Sequence, residues 1–275
     1  MNRKFFFKSQ NKIILKVKKY LPKKYHKTGI MIQSFLINAI ANIPFTKERA
    51  IRKEKFKDYS RLQLSDSTEK SLEICKKESV SVYGDNWNYQ SDALRREMVY
   101  GFETCIKHLL SKTDTIDYLE IGSCQGLSMS IVGNIIRNNS TKSCKLFSID
   151  PYGEDGYYEH NIQVPVNKTT KSKAYSLYKL LNLNVDHIEK FSDEALKQLI
   201  SENLKFNLIY IDGAHEGMIP FNDLAYSLQL VSKKGAIIIL DDHKTYDDVK
   251  FIKLLCDRNF NKVYENWKIA AYEIT

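Results

Sequence analysis

Residues Asp117 to Asp150, DYLEIGSCQGLSMSIVGNIIRNNSTKSCKLFSID, decide the fold of this 275-residue chain. Ile116 and Tyr118 to Ile121 make a short apolar run that stops at Gly122, the pattern of a strand buried on both faces of a parallel sheet. Gly122 and Gly126 bracket a turn at which backbone N–H groups can approach a ligand. Leu127, Met129, Ile131, Val132, Ile135 and Ile136 then recur with helical spacing. A second strand, Lys145 to Ile149, ends in Asp150, whose carboxylate can accept both hydroxyls of a ribose. A glycine turn opening a helix, followed by an acid closing the next strand, predicts a nucleoside-derived ligand.

The glycine spacing narrows that ligand. A dinucleotide turn, G-x-G-x-x-G, would need glycines at 122, 124 and 127, where this chain has Gly122, Cys124 and Leu127. The pattern E-x-G-x-x-x-G from Glu120 to Gly126, with Asp150 after the next strand, resembles motif I and the acidic loop of class I S-adenosylmethionine-dependent methyltransferases. The resemblance implies that Glu120, Gly122, Ser123, Gly126 and Asp150 bind S-adenosylmethionine. Cys124 stands where that family has its middle glycine.

The alternation continues downstream: helix Lys171 to Leu181, strand Val185 to Phe191, helix Asp193 to Ser201, strand Phe206 to Asp212, helix Asn222 to Val231, strand Ala236 to Leu240, helix Tyr246 to Arg258. Such a pattern predicts an α/β fold with a parallel sheet and right-handed crossovers, binding ligands beyond the carboxyl ends of its strands. Val263 to Glu265 and Ile269 to Ile274 follow without a crossover helix and predict an antiparallel hairpin at the sheet edge. The family resemblance implies a Rossmann-like, doubly wound seven-stranded sheet ordered 3-2-1-4-5-7-6. Ser192 and Asp193, after strand three, fit an adenine-edge contact by position, and a helix cap explains them equally well.

Strand four ends in IDGAHEG and strand five in LDDH, so Asp212, His215, Asp241, Asp242 and His243 should meet on one edge. Three carboxylates so placed repel one another unless protonated or bound to a cation, and oxygen ligands favour a hard ion such as Mg²⁺. These residues also resemble the macrocin O-methyltransferase type of metal-dependent sugar methyltransferases, whose D-x-x-H signature and later acid fall on Asp212, His215 and Asp223. That correspondence implies Asp212, Asp241 and Asp242 as metal ligands, Asp212 as a cofactor contact too, and His215 as general base. Gly217 and Pro220 depart from that family's usual aromatic and aliphatic residues. Two plainer readings stay open: Asp242 as a cap of the following helix, and His215 as a structural hydrogen-bonding group.

Charge divides the chain. Residues 1 to 60 hold 16 Lys and Arg against 3 Asp and Glu, a net of +13, and the remainder carries 26 against 30, a net of −4. A basic extension (1–60), a helical approach segment (61–112) and a methyltransferase domain (113–275) are expected, without nucleic acid as partner. Lysines alternating with Phe5 to Phe7, Ile13 to Leu15, Val17, Tyr20 and Leu21 suit either a helix on an anionic membrane face, through residues 1 to 27, or a solvated basic arm. Ile30 to Phe45 is interrupted by Gln33, Ser34, Asn38 and Asn42 and is shorter than the roughly 20 residues a membrane span needs, so a packed or oligomerising helix is expected. Five scattered cysteines without a C-x-x-C pair signal neither a disulfide framework nor a zinc site, and fit a reducing cytoplasm.

Before strand one, a helix around Lys70 to Lys77 and another over Asp92 to Leu110, capped by Ser91, are predicted. Tyr83, Trp87 and Tyr89 either close over the cofactor or pack on that helix. Tyr152, Tyr157, Tyr158 and His160 lie in a long loop after strand two. The expected activity is metal-assisted O-methylation of a sugar hydroxyl in a glycan, glycolipid or glycosylated metabolite, in polysaccharide biosynthesis. A catechol methyltransferase and a non-catalytic cofactor-binding subunit are the alternatives.

Overall fold

The computed structural model describes residues 62–84, 92–140, 142–153, 167–232 and 235–274, all within one compact unit spanning Ala50–Thr275. Residues 1–61, with the basic arm and its membrane reading, lie outside them, as do Ser91, Trp87, Tyr89, Tyr157, Tyr158 and His160. Helices α1 (Asp66–Tyr83) and α2 (Arg96–Leu110) precede the sheet. There follow β1 (Tyr118–Ile121), α3 (Leu127–Asn139), β2 (Leu146–Ile149), α4 (Lys168–Leu180), β3 (Val185–Ile188), α5 (Ser192–Ser201), β4 (Leu208–Ile211), α6 (Ile219–Leu230) and β5 (Ala236–Leu240). Helix α7 (Asp247–Asn259) leads to the hairpin β6 (Asn261–Glu265) and β7 (Ala270–Ile274).

The seven strands are ordered β3-β2-β1-β4-β5-β7-β6, parallel except for the antiparallel β5–β7 and β7–β6 pairs. This is the Rossmann-like sheet, with the strand order, that the family resemblance implies. Helices α1 to α4 pack among themselves and α5 to α7 among themselves, which covers the two faces. Ile237, Ile238 and Ile239 of β5 and Leu208 and Ile209 of β4 are wholly buried, as central parallel strands require. Among the described residues no helix is long and apolar enough to cross a membrane.

Local differences from the sequence reading have physical causes. Helix α1 runs well beyond Lys70 to Lys77 because its inward face is built from Thr68, Ser71, Cys75 and Ser79 around one leucine, Leu72. Hydrophobic periodicity cannot register so polar a face. The helix expected from Asp92 breaks into a short 3₁₀ turn, Asp92–Leu94, and α2, because Arg95 is extended (φ −75°, ψ 143°). Its guanidinium pairs with Glu97 at 2.6 Å and lies 5.0 Å over the Trp267 ring, so tertiary contacts fix the break. β3 stops at Ile188, and Phe191 is an exposed residue ahead of α5. β4 begins at Leu208, since Phe206 pairs with Val231 in a separate bridge.

Candidate active site

Strand register assembles the site. Ile121 is paired with both Ile149 and Ile211, and Ile211 with Leu240. The next residue of each strand, Gly122, Asp150, Asp212 and Asp241, therefore leaves the sheet at one level of its carboxyl edge. The antiparallel partner of Leu240 is Ala270, so the turn before β7 comes over the same edge.

At the β1 end the turn is braced by the protein. Glu120 is fully buried and accepts from Ser128 Oγ at 2.5 Å and Tyr118 Oη at 2.8 Å. Burial pushes its carboxyl up to about 7 against those two donors. The Asp150 carboxylate accepts from the Cys124 amide at 2.8 Å and the Tyr152 amide at 3.3 Å. Gly122 has φ +88°, and a Cβ there would lie 2.2 Å from the Asp212 carbonyl oxygen. A Cβ at Gly126, at φ +72°, would lie 2.6 Å from the Tyr178 hydroxyl. Cys124 has a positive φ of 41°, a conformation that glycine adopts freely. The Tyr178 hydroxyl is buried without a hydrogen-bond partner, and Ser123 is buried beside the same turn. An unpartnered donor at a glycine-lined turn fits a polar ligand there, which Gly122, Ser123, Gly126 and Asp150 could hold.

The second half of the edge is a charge cluster. Asp212, His215 and Asp241 each offer one ligand atom, and those atoms lie within 4.8 Å of one another. His215 Nε2 is 3.5 Å from Asp212 Oδ1 and 4.0 Å from Asp242 Oδ2. The imidazole is stacked on Tyr246, with centroids 4.7 Å apart and planes 9° off parallel. Asp241 Oδ1 accepts from Tyr210 Oη at 2.7 Å. Burial raises the Asp241 carboxyl well above its usual range, the Asp212 charge adds to this, and Lys268 opposes it. His215 Nε2 is a buried atom without a hydrogen bond, and with carboxylate oxygens beside it the set could hold a hard divalent ion.

The remaining predicted residues separate clearly. Asp242 (φ 47°) caps no helix, since Tyr246 holds the position before α7; it joins the cluster through Lys268 and Thr245. Asp193 forms an exposed pair with Lys197 at 2.6 Å, and Ser192 opens α5. Asp223 is fully buried, and burial pushes its carboxyl up to about 7 while Ser192 opposes the shift. His243 is structural: it is buried, its Nε2 lies 3.0 Å from the Asn266 carbonyl, and burial pushes it down to about 4. His187 is likewise structural, 2.5 Å from Ser148 Oγ and pushed down to about 4 by burial.

One residue escaped the sequence reading. Lys268 Nζ lies 2.8 Å from Asp241 Oδ2 and 3.1 Å from Asp242 Oδ1. The signal was present: one lysine set between Trp267 and the apolar run Ile269 to Tyr272, just ahead of a strand that must pair with β5. Tyrosines also collar the cofactor turn. Tyr83 Oη donates to the Gln125 carbonyl at 2.6 Å and Tyr152 Oη donates to the Cys124 carbonyl, so both brace the turn.

A methyltransferase domain model matches residues 119–243. No curated protein sequence matches the chain. Among solved structures, the O-methyltransferase NovP is similar with a TM-score of 0.55 at 16% identity, over 76% of this chain and 100% of that one. The O-methyltransferase TomG from Streptomyces achromogenes, solved with its cofactor, gives 0.46 at 13% identity over 84% and 100%. The calicheamicin methyltransferase CalS11 gives 0.49 at 12% over 84% and 98%. With the match lying across the glycine turn and both acid-ended strands of the seven-stranded sheet, residues 119–243 form a methyltransferase domain.

Proposed function

We propose that this methyltransferase acts on oxygen, with help from a divalent metal ion, and that its acceptor is a sugar hydroxyl in a glycan, glycolipid or glycosylated metabolite. The observation that carries the reading is the convergence of Asp212, His215 and Asp241 beside the cofactor turn, with Asp212 adjoining Gly122. The likeness to NovP, an O-methyltransferase, supports oxygen as the acceptor atom.

S-adenosylmethionine supplies an electrophilic methyl group that needs little further activation, so the chain's task is alignment and a dry site. Gly122, Ser123, Gly126 and Asp150 would hold it, with Ser192 and Asp193 at the adenine edge. An alcohol is a poor nucleophile near neutral pH, and a divalent ion held by Asp212, Asp241 and Asp242 would acidify it. His215 then takes the hydroxyl proton at Nε2 as the oxygen attacks. Its stacking on Tyr246 fixes the ring plane, and Asp212 stabilises the imidazolium that results. A vicinal diol or a catechol would chelate such an ion naturally, so catechols are the competing acceptors. A non-catalytic role would leave the imidazole and carboxylate cluster without a task.

Incubation with methyl-labelled cofactor and a panel of glycans, glycosides and catechols tests this. Label on a sugar hydroxyl is expected; label on catechols alone would replace the sugar reading, and label on nitrogen acceptors would remove the oxygen reading.

A further inference from the structure

Lys268 stands inside the acid cluster by construction. Its turn is tied down on several sides: Asn266 Oδ1 accepts from the Lys268 and Ile269 amides at 2.8 Å each, and Asn266 Nδ2 donates to the Glu97 carbonyl at 3.1 Å. Trp267 Nε1 donates to Glu97 Oε1 at 3.2 Å, and the His243 amide donates to the Lys268 carbonyl at 3.3 Å. The ammonium is largely buried, with 14% of its side chain exposed, and reaches Asp241 Oδ2 and Asp242 Oδ1 together. Asp241 therefore has one oxygen on Tyr210 and the other on a fixed cation.

We infer that Lys268 is a resident cation of the active site, which balances Asp241 and Asp242 when no metal is bound and which a divalent ion must displace from them. The inference rests on the metal-assisted reading above. An ammonium 2.8 Å from Asp241 Oδ2 would stand against a dication on the same oxygen, and like charges at that range repel strongly in a partly buried site. Three carboxylates without any cation would repel one another as strongly. The lysine thus keeps the ion-free cluster folded and at the same time weakens ion binding, so that the metal enters and leaves readily.

Calorimetric titration of the full chain with Mg²⁺ alone tests this in the wild type, Lys268→Gln and Lys268→Arg. The glutamine variant should bind Mg²⁺ roughly tenfold tighter or more, and should gain more thermal stability from the ion, while the arginine variant stays near wild type. Equal or weaker binding by Lys268→Gln, with the wild type binding normally, would overturn the resident-cation assignment and leave the metal reading standing. Failure of every form to bind Mg²⁺ would remove the metal reading and this inference with it. Should the variants not fold, acetylation of Lys268 in the wild type serves instead: reactivity should rise when Mg²⁺ is saturating, and unchanged or reduced reactivity would overturn the inference.

Discussion

The two halves of the carboxyl edge are built on opposite principles. At the cofactor turn, the acids are paid off locally: Glu120 by Tyr118 and Ser128, Asp150 by the Cys124 and Tyr152 amides. At the ends of β4 and β5, Asp212, Asp241 and Asp242 gather more negative charge than their hydroxyl and amide donors offset, and a lysine from the distant β6–β7 turn is brought in. A turn whose acids are hydrogen-bonded within the protein suits a cofactor that is always the same. A charged, incompletely satisfied cluster suits chemistry, because unspent electrostatic free energy is available for a proton or a metal ion.

The largest effect should come from the charged half. His215→Ala should lower turnover on the order of 10²- to 10⁴-fold while cofactor affinity, measured by calorimetry, is unchanged. An equal loss of cofactor affinity would move His215 into the binding half and erase the contrast. In the braced half, Gly122→Ala puts a Cβ 2.2 Å from the Asp212 carbonyl at φ +88° and should cost about 3 kcal/mol in urea unfolding. Gly153→Ala, where a Cβ would meet nothing within 4 Å, should stay within about 0.5 kcal/mol of wild type.

Asp223 sharpens the comparison through pH. Its carboxyl rises from 3.8 to about 7 on folding, so the native state holds the proton more tightly. The stabilisation is complete below pH 3.8 and is lost as pH climbs through about 7. Relative to Asp223→Asn, the wild type should therefore lose about 1.4 kcal/mol per pH unit in that window, read from thermal unfolding at several pH values. Parallel curves for the two proteins would show that Asp223 does not take up a proton on folding. A smaller loss is expected from Tyr83→Phe, which removes the bond to the Gln125 carbonyl and should cost about 1 kcal/mol of stability.

How much of this was legible follows the same division. The turn is local in sequence: Glu120, Gly122, Gly126 and Asp150 span one β-α-β unit, and short-range periodicity is enough to place them. The meeting of Asp212, His215 and Asp241 follows from parallel strands ending level, which the alternation of elements already implies. Lys268 was not legible in that way, because it reaches the cluster only through the antiparallel register of β7 on β5. Helix α1 was blurred for a different reason: serine, threonine and cysteine make its buried face, and no apolar stripe marks them. Arg95 shows the reverse, a helix pattern overruled by contacts with Glu97 and Trp267.

The central claim is that the charge cluster works with a divalent ion in methyl transfer, and turnover of an accepted sugar substrate in excess chelator tests it most directly. The account predicts that activity disappears, returns on adding Mg²⁺ in excess of chelator, and does not return in Asp241→Asn, while cofactor affinity stays constant throughout. Full activity in chelator would contradict it and would make Asp212, Asp241 and Asp242 structural acids balanced by Lys268.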